Sequence, residues 1–490
     1  MNHRIKRAIS LLLLLLLAIH AVACGETPAE PETDDQPRQT TAAAEETETS
    51  EMPEMPGPEK TDLEGYSLRV ITTSWVNCDK MICAESFNGD VINDTMFEAQ
   101  GRVMNDYNCA YEFIVYDSPY EVSDNIRKTA QSQADEYDVS YSHDTMTVAG
   151  ALGGYYLNLR DCNVFNYDAP WWNRETLENF TVGGQMYFAS NYLTYSPLYC
   201  GCVLVYNKEL ADEYKLEIPY EDILAGNWYM EDLISMAQAG HRDLNGDGKI
   251  TLGEDQIGFV TSAAGMVNFR VSLGSKILGK DAEGYMALTI DEEHSLMVLD
   301  AFERLMEYGA DSNDTSEYGA GYFKDGNVLF DYLQVRNIPE TVQHSDVRFG
   351  VLPVPKLNRN QDNYISGAFD IYWGIPTTAY ANSEKIATIL EATAHNCYYS
   401  VLPTVYETAM KVKFSESVID AEMFDLIRNS MCVDAAYAFN QQNTALSDMV
   451  YMLYRLNSGN FSSKLASLRK PLTRGIEKIN GIYEKLVESE

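Results

Sequence analysis

The chain has 490 residues, of which 45% are hydrophobic, and its formal net charge at neutral pH is −37. This length allows two or three domains with sizeable cores, and the acidic balance excludes nucleic acid and anionic lipid surfaces as main partners. After the first 24 residues no apolar run is long enough to cross a membrane, so the remainder is predicted to fold in water.

The first 24 residues form a predicted secretion signal. Arg4, Lys6 and Arg7 precede an unbroken leucine run that is too short for a membrane span, and small residues follow before Cys24. The last four residues resemble a bacterial lipoprotein cleavage box, although Ala21 stands where leucine is usual. This resemblance implies that Cys24 is lipidated and that its acyl chains hold the protein on the extracellular face of the cell membrane. The alternative is ordinary signal cleavage, with Cys24 an incidental thiol.

Residues 25–62 are rich in Glu, Thr, Pro and Ala and contain twelve acidic residues against two basic ones. Because the segment has no apolar periodicity, it cannot bury enough surface to offset the entropy of ordering. It is therefore predicted to be a disordered, self-repelling tether with a reach of about 35 Å.

Beyond the tether, predicted strands alternate with predicted helices. The expected order is strand 66–72, helix 93–108, strand 111–116, helix 122–134 and strand 137–141. Such a run implies a mostly parallel sheet, which binds ligands at the carboxyl ends of its strands. Trp75 and Asp144 follow two of these ends and are therefore candidate ligand-binding residues. No glycine-rich phosphate motif follows the first strand, so a nucleotide cofactor is not expected.

Six stretches of the chain carry a family resemblance. They are GDVINDTMFEAQGRVMNDYN (Gly89 to Asn108), APWWN (Ala169 to Asn173), VLVYNKEL (Val203 to Leu210), NWYMEDL (Asn227 to Leu233), FGVLPVPK (Phe349 to Lys356) and WGIPTTA (Trp373 to Ala379). In order and spacing they resemble the extracellular solute-binding lipoproteins of carbohydrate ABC importers, the family of maltose-binding protein. The resemblance implies a periplasmic-binding-protein-like type II fold, with two α/β lobes joined by hinge crossings and a ligand cleft between them.

The resemblance also implies a division of the chain into lobes. The expected parts are 63–195 and 349–400 for the first lobe, 196–348 for the second, and a C-terminal helical region, 401–490, that completes the second. Asn191 to Cys202 is the expected first crossing, and Phe349 to Lys356 is the expected return because its two prolines stiffen an extended segment. From Phe461 onward, apolar residues recur at three- and four-residue steps, which predicts packed amphipathic helices.

A carbohydrate site needs aromatic platforms beside carboxylates, amides and guanidinium groups, and the chain holds 33 tyrosines and five tryptophans. Seven residues at strand ends, in the expected crossing or at a helix start form the predicted ligand-binding set: Trp75, Asp144, Tyr192, Tyr195, Trp228, Asp370 and Trp373. Of these, Asp370 and Trp373 are placed near the cleft by the resemblance. His143 is expected to be a neighbour of the site. The alternative for each aromatic residue is a place in the core.

The segment DLNGDGKITLGE, from Asp243 to Glu254, matches the pattern of a calcium loop. The predicted calcium ligands are the side chains of Asp243, Asn245, Asp247, Thr251 and Glu254 and the carbonyl of Lys249. Asp255 is an alternative to Glu254 or an additional ligand. A helix is predicted only before the loop, and a strand follows it. The loop is therefore expected to stabilise the second lobe rather than to act as a sensor. A solvated turn that binds nothing is the alternative.

The eight cysteines other than Cys24 match no zinc spacing and are expected to be mostly buried apolar residues, with their disulfide state open.

The resemblance implies capture of a carbohydrate, expected to be an oligosaccharide, by lobe closure and its delivery to an ABC permease. The protein is expected to be monomeric and without catalysis. A secreted, calcium-stabilised carbohydrate-active enzyme is the alternative, although no nucleophile or metal-hydrolase motif occurs. An adhesive surface protein fits the tether but not the alternation of strands and helices.

Overall fold

The structure is a computed structural model that describes residues 55–312, 320–338, 347–405 and 418–489. Its strands are β1 Tyr66–Thr73, β2 Cys109–Tyr116, β3 Val139–His143, β4 Cys202–Asn207, β5 Ile257–Thr261, β6 Leu278–Lys280, β7 Met286–Leu288, β8 Gly309–Asp311, β9 Val328–Gln334, β10 Phe349–Leu352, β11 Ser366–Ala368, β12 Ile371–Gly374 and β13 Met431–Val433.

The α-helices in the same ranges are α1 Cys78–Ile82, α2 Val91–Tyr107, α3 Pro119–Ser132, α4 Asp144–Leu152, α5 Arg174–Phe180, α6 Ser196–Tyr199, α7 Lys208–Tyr214, α8 Tyr220–Leu224, α9 Met230–Ala239, α10 Ala263–Ser272, α11 Glu292–Met306, α12 Ala320–Lys324, α13 Ser383–Asn396, α14 Leu402–Thr404, α15 Val418–Asn429, α16 Ala435–Ala438, α17 Thr444–Val450, α18 Met452–Arg455 and α19 Ser458–Ser489. Short 3-10 turns occur at Trp75–Asn77, Leu159–Asp161, Val335–Asn337, Thr377–Asn382 and Asn440–Gln442, and a π turn at Cys397–Val401.

The first lobe is built on a four-stranded sheet in the order β12-β3-β1-β2. β1 pairs in parallel with β2 and β3, whereas β12 pairs antiparallel with β3. Local chemistry sets the helix starts: Asp90 caps α2 by accepting from the amides of Ile92 and Asn93, and Ser118 caps α3 ahead of a proline in its first turn. The expected strand–helix alternation is therefore confirmed, with boundaries shifted by one to three residues.

The second lobe is built on a five-stranded sheet in the order β10-β4-β9-β5-β8. β9, β5 and β8 run parallel, so their carboxyl ends share one edge, and β4 runs antiparallel to β9 and begins at that edge. The strand residues of β4, β5 and β9 are buried throughout, as in sheets covered on both faces. The fold class, a type II arrangement of two α/β lobes, is confirmed.

Within the described residues, two neighbouring segments connect the lobes. The first runs from Ala189, which bridges to Trp373 in the first lobe, to Gly201, which bridges to Ala368. The second is the short step between β11 and β12, through Phe369 and Asp370. The return therefore lies later than the expected segment Phe349 to Lys356. That segment begins with β10, which pairs antiparallel with β4 at the edge of the second-lobe sheet.

The C-terminal region touches both lobes instead of completing only the second. α19 is one helix of 32 residues with Pro471 inside it. It packs against β7 and α11 in the second lobe and also against α4 in the first, while α18 packs on α10. The apolar stripe predicted from Phe461 is buried at Phe461, Leu465 and Leu472, among others. The stripe covers two partners because the helix is long enough to span them.

The predicted tether ends earlier than residue 62. The Met55 amide donates to the Tyr399 hydroxyl at 2.9 Å, the Tyr107 hydroxyl donates to the Pro58 carbonyl at 2.6 Å, and Lys60 pairs with Asp106 at 2.8 Å. These contacts give residues 55–62 partners on the first lobe that composition alone does not reveal. The rest of the predicted tether, the signal segment and Cys24 lie outside the described residues.

A buried carboxylate organises the APWWN segment of the first lobe. Glu391 on α13 accepts from the indole nitrogens of Trp171 and Trp172 at 2.8 and 3.1 Å, and from the Asn166 amide at 3.0 Å.

The eight described cysteines are free, and five of them are buried. Within the described ranges, no helix is both long and apolar enough to cross a bilayer.

Candidate functional site

A cavity of about 200 Å³ lies where the two lobes and their crossings meet. Its first-lobe wall comes from the carboxyl ends of β1 and β3, through Trp75, His143 and Asp144. Its second-lobe wall includes Ala264, after β5, and Arg336, after β9. Parallel strands place such ends together, which is why open α/β sheets bind ligands there. The cavity therefore occupies the position expected of a ligand cleft.

Trp75 is the aromatic platform of this cavity. Its side chain is 41% exposed, and its ring centroid lies 4.5 Å from that of His143 at an interplanar angle of 33°. Its backbone amide donates to the Thr73 hydroxyl at 3.1 Å. The other four tryptophans are at most 4% exposed. Trp75 is therefore the tryptophan that offers a ring face to a solute.

Asp144 lies at the start of α4 beside His143. Its Oδ1 accepts from the Thr145 amide at 2.5 Å and lies 2.6 Å from His143 Nδ1. The Thr147 hydroxyl donates to the His143 carbonyl at 3.0 Å, which holds the turn between strand and helix. A carboxylate at a helix N-terminus is stabilised by the unpaired amides there. The pair thus presents an oriented carboxylate and imidazole to the cavity.

Asp370 lies on the return crossing and ties it to the first crossing. Its carboxylate accepts from the hydroxyl of Ser190 and, at 2.9 Å, from that of Ser196, while Oδ1 also accepts from the Ile371 amide at 2.7 Å. The side chain is 2% exposed, and burial raises its pKa to about 7 despite these three donors. Asp370 therefore borders the cavity as a group that links the two crossings.

Further aromatic residues close the cavity on the C-terminal side. Phe369 packs edge-on against Tyr437, with 4.7 Å between ring centroids. Tyr451 lies under the guanidinium of Arg455 at 4.9 Å, and burial raises the pKa of its hydroxyl. Apolar ring faces beside hydroxyl, carboxylate and guanidinium groups match a solute that combines flat apolar faces with many hydroxyls.

The structure brings three of the seven predicted ligand-binding residues to this cavity, namely Trp75, Asp144 and Asp370. Tyr192 and Tyr195 lie in the first crossing but are each only 9% exposed. The ring of Tyr192 packs against Tyr398 at 5.7 Å, and the Tyr195 hydroxyl donates to the Lys80 carbonyl at 3.4 Å. Both support the crossing from behind rather than lining the cavity.

Trp228 and Trp373 lie in the cores of the second and first lobes. Trp228 is 0% exposed and donates from its indole to the Pro353 carbonyl at 3.1 Å. Trp373 is 1% exposed, packs against Trp172 and donates to Asn191 Oδ1 at 3.0 Å. A strand residue alternates between two faces, and on β12 the face of Trp373 is the one that packs on the lobe core. Neither ring is open to a solute.

Sequence reasoning did not propose several residues that line the cavity. Arg336, Phe369, Tyr437 and Tyr451 come from a strand end, a crossing and the C-terminal region. Arg336 could have been proposed from its place just after a buried strand, the same signal that identified Trp75. The two tyrosines carry no such local signal, because only the path of the C-terminal region brings them to the cleft.

The loop from Asp243 to Glu254 lies on the second lobe and is largely hydrogen-bonded to itself. Asp243 accepts from the Gly246 and Gly248 amides at 2.6 and 2.8 Å, and Asn245 and Asp247 accept from amides two residues ahead, at 2.9 and 2.8 Å. Gly248 adopts a φ of 80°, which only glycine accepts without strain. These turns wrap the backbone around the carboxylates as a cation loop requires.

At the end of the loop, Asp255 rather than Glu254 is the acid that is hydrogen-bonded to the loop backbone. Asp255 is 0% exposed and accepts from the Leu244 and Thr251 amides at 2.9 and 2.8 Å, and these bonds lower the pKa of its carboxyl. Glu254 is exposed. Across the described part of the chain, no three His, Cys, Asp or Glu side chains are close enough together to hold a metal ion. Calcium would therefore need Glu254 to turn inward, or ligands from Asn245, Thr251 and carbonyl groups.

Neither a family model nor a curated protein matches the sequence. Solved structures do match the fold. The lacto-N-biose-binding protein of a Bifidobacterium longum ABC transporter is 10% identical, with a TM-score of 0.52, over 87% of this chain and 98% of its own. UgpB of Mycobacterium tuberculosis with glycerophosphocholine is 14% identical, with a TM-score of 0.52, over 86% and 99%.

The maltose-binding protein of Listeria monocytogenes in complex with maltose is similar to the same degree. It is 12% identical, with a TM-score of 0.51, over 87% of this chain and 98% of its own. Identities this low establish the fold alone. The chain therefore has the two-lobed fold of the solute-binding proteins of ABC importers.

Proposed function

We propose that the protein is an extracellular, lipid-anchored solute-binding protein that captures a carbohydrate and delivers it to an ABC import permease. The observation that carries the proposal is the cavity between the strand ends of the two lobes, where the exposed ring of Trp75 stands beside Asp144, Asp370 and Arg336. A ring face recognises the apolar face of a sugar, and the polar groups recognise its hydroxyls.

The size of the cavity limits how much of an oligosaccharide it can enclose. Sites that enclose a drug-sized molecule have volumes of about 300–1,000 Å³. The cavity here, at about 200 Å³, suits one end of a saccharide rather than a long chain. We therefore propose that a terminal sugar unit enters between the lobes while the rest of an oligosaccharide extends outward. Maltose and lacto-N-biose in the structurally similar proteins support this class of solute.

Binding by lobe closure needs no chemical step. A solute that contacts both walls favours the closed state by the difference in its affinity for the two states. The crossings tied by Asp370 are then the hinge about which closure occurs. The alternative of a carbohydrate-active enzyme requires two carboxylates placed across a scissile bond. No observation favours this enzyme. The buried Asp370 carboxylate accepts from the Ser190 and Ser196 hydroxyls of the crossing, so it is not presented to a scissile bond.

Calorimetry of the purified protein against maltose, lacto-N-biose and mannotriose, with analysis of the sugars afterwards, tests the proposal. Stoichiometric binding with unchanged sugar supports capture, whereas released reducing ends would establish the enzyme. Acrylamide quenching of tryptophan fluorescence adds a local readout. Because Trp75 is the exposed tryptophan, a bound sugar is expected to protect the quenchable fraction. The variant Trp75→Phe, as a matched control, is expected to lose that fraction.

Anchoring by Cys24 and delivery to a permease belong to the same proposal. The acyl chains on Cys24 would hold the protein at the extracellular face of the membrane as a monomer. Replacing Cys24 by alanine is then expected to release the protein into the medium. Retention of the variant in the membrane fraction would contradict lipidation at this residue.

We also propose that the Asp243–Glu254 loop binds one calcium ion in a structural role. The support is the pattern of Asp243, Asn245 and Asp247, whose side chains already wrap the loop backbone. Terbium luminescence, sensitised by a neighbouring tyrosine or tryptophan and displaced by calcium, tests binding. A chelator is expected to lower the melting temperature and to leave sugar affinity unchanged. If terbium gives no signal and the chelator has no effect, the loop is a solvated turn that binds no metal ion.

A further inference from the structure

The edge of the second sheet that faces the cavity carries buried polar atoms without partners. Thr261 Oγ1 ends β5, Ser312 Oγ follows β8, Gln334 Oε1 ends β9, and Asn337 Oδ1 lies in the turn after it. Among the residues that the structure describes, none of these four atoms has a hydrogen-bond partner. We call these four residues the second-lobe polar row.

The row belongs to one edge of the sheet. β5 is parallel to both β8 and β9, so the ends of all three strands lie together. The Ser312 amide donates to the Thr261 carbonyl at 3.0 Å, which joins two members of the row directly. Gln334 donates from its amide nitrogen to the Cys200 carbonyl at 3.1 Å, which joins the row to the crossing.

The same edge contributes to the cavity. Three residues next to the row line the cavity. Ala264 lies three positions after Thr261, Arg336 lies between Gln334 and Asn337, and Cys200 belongs to the crossing. Buried polar groups are nearly always paired in folded proteins, and each unpaired group destabilises the fold. Four of them lie at the ligand edge of one sheet, where a bound solute would supply the missing partners.

We infer that the second-lobe polar row is the half of the binding site that closes on the solute, and that it recognises a neutral, hydroxyl-bearing part of it. The inference rests on the proposed function. Gln334 and Asn337 each offer an unpaired carbonyl oxygen, which only accepts, while Thr261 and Ser312 offer hydroxyls that donate or accept. Sugar hydroxyls satisfy all four. A carboxylate or phosphate would face two carbonyl oxygens that repel it.

The atoms of the row are closed off from solvent in this structure. A solute therefore reaches them only when the lobes separate about the crossings and then close again. In the first-lobe wall, Trp75 is exposed and Asp144 is paired with His143. The solute therefore contacts the first-lobe wall first, and the second-lobe polar row forms its hydrogen bonds to the solute when the lobes close.

The test combines stability with affinity in the variants Thr261→Val and Ser312→Ala. Each removes an unpaired buried hydroxyl, so the melting temperature of the free protein is expected to stay the same or rise. The dissociation constant for the neutral sugar that binds among maltose, mannotriose and lacto-N-biose is expected to increase at least tenfold, because the bound sugar loses a partner. This opposition of stability and affinity is the signature of a residue retained for binding.

Tyr483→Phe is the matched control. Its buried hydroxyl also has no hydrogen-bond partner in the described part of the chain, but it lies in α19 and packs on Tyr187, away from the strand ends. This variant is expected to keep both its melting temperature and its sugar affinity. Digalacturonate serves as the anionic probe and is expected to bind at least tenfold more weakly than the neutral sugar.

The outcomes separate the two levels of the proposal. If the unaltered protein binds none of the three neutral sugars, the proposed function fails and this inference fails with it. If it binds one and both row variants retain that affinity within twofold, only the inference is overturned. A fall in melting temperature in both variants would show that the hydroxyls are structural. Tighter binding of digalacturonate would overturn the neutral class of solute.

Discussion

The cavity and the Asp243–Glu254 loop are two polar regions that arise in opposite ways. The loop is made of neighbours in sequence, and its carboxylates are satisfied by amides two to five residues away. In the cavity, Trp75, Asp144, Asp370 and Tyr437 come from four distant parts of the chain. A local pattern can thus be complete without being the site of function, while a site can be assembled with no local pattern at all.

The tryptophans sharpen this contrast. Trp75 and Trp373 are equally plausible from sequence, yet one is 41% exposed and the other 1% exposed. Trp75 lies in the turn after β1, whereas Trp373 lies within β12 on the face that packs on the lobe core. Substitutions at the two positions are therefore expected to separate stability from binding.

Trp373→Ala is expected to have the largest effect. Removing this buried ring loses its packing and leaves Asn191 Oδ1 without its indole donor, and comparable truncations cost about 3–5 kcal/mol of unfolding free energy. Denaturant unfolding measures the loss. A loss below about 1 kcal/mol, by the same scale, would show that Trp373 is not a core residue.

Asp370→Asn is expected to change how stability depends on pH. The folded-state pKa of Asp370, raised to about 7, exceeds its unfolded value, so its contribution is present at low pH and is lost as pH rises from about 4 to 7. The variant lacks this titration. Its stability relative to the unaltered protein is therefore expected to improve by on the order of 3 kcal/mol over that interval.

Unfolding curves at several pH values measure the effect of Asp370→Asn, with Glu254→Gln as an exposed carboxyl control. A difference between Asp370→Asn and the unaltered protein that does not vary with pH would show that the carboxyl is ionised throughout this range. In that case its three hydrogen-bond donors outweigh the effect of burial.

Asp255→Asn tests which acid closes the loop. An asparagine side chain has one acceptor oxygen, so the Leu244 or the Thr251 amide would lose its partner. The melting temperature is expected to fall more than in Glu254→Gln, whose side chain is exposed. The lowered pKa of Asp255 also implies that its contribution is lost as pH falls through that value. Equal melting temperatures of the two variants would contradict this assignment.

Trp75→Ala is expected to have the smallest effect on stability and a clear effect on sugar binding. The exposed ring contributes little to the core, so the change in unfolding free energy is expected to stay within about 0.5 kcal/mol. The dissociation constant for a bound sugar is expected to rise by about tenfold, the equivalent of 1.4 kcal/mol of lost ring contact. An unchanged dissociation constant would remove Trp75 from the site.

Periodicity and short-range chemistry, which act between near neighbours, predict the alternation of strands and helices, the calcium-loop pattern and the strand ends that carry Trp75 and Asp144. The two-lobed fold class was instead implied by the family resemblance of six stretches of the chain. The sequence was less informative about the return crossing, because an edge strand such as β10 and a hinge strand have similar patterns. It also missed the docking of residues 55–62, whose partners lie on the folded lobe.

Which side chains meet depends on how distant elements of the fold pack together. Tyr437 and Tyr451 reach the cavity because the C-terminal region packs on both lobes. Trp228 lies two residues before α9 and is buried in the second lobe, where its indole donates to the Pro353 carbonyl. Whether an aromatic residue is a platform or a core residue depends on the elements that cover it. Those elements are separated from it by tens to hundreds of residues, as Asp370 is from the Ser190 and Ser196 hydroxyls that it accepts from.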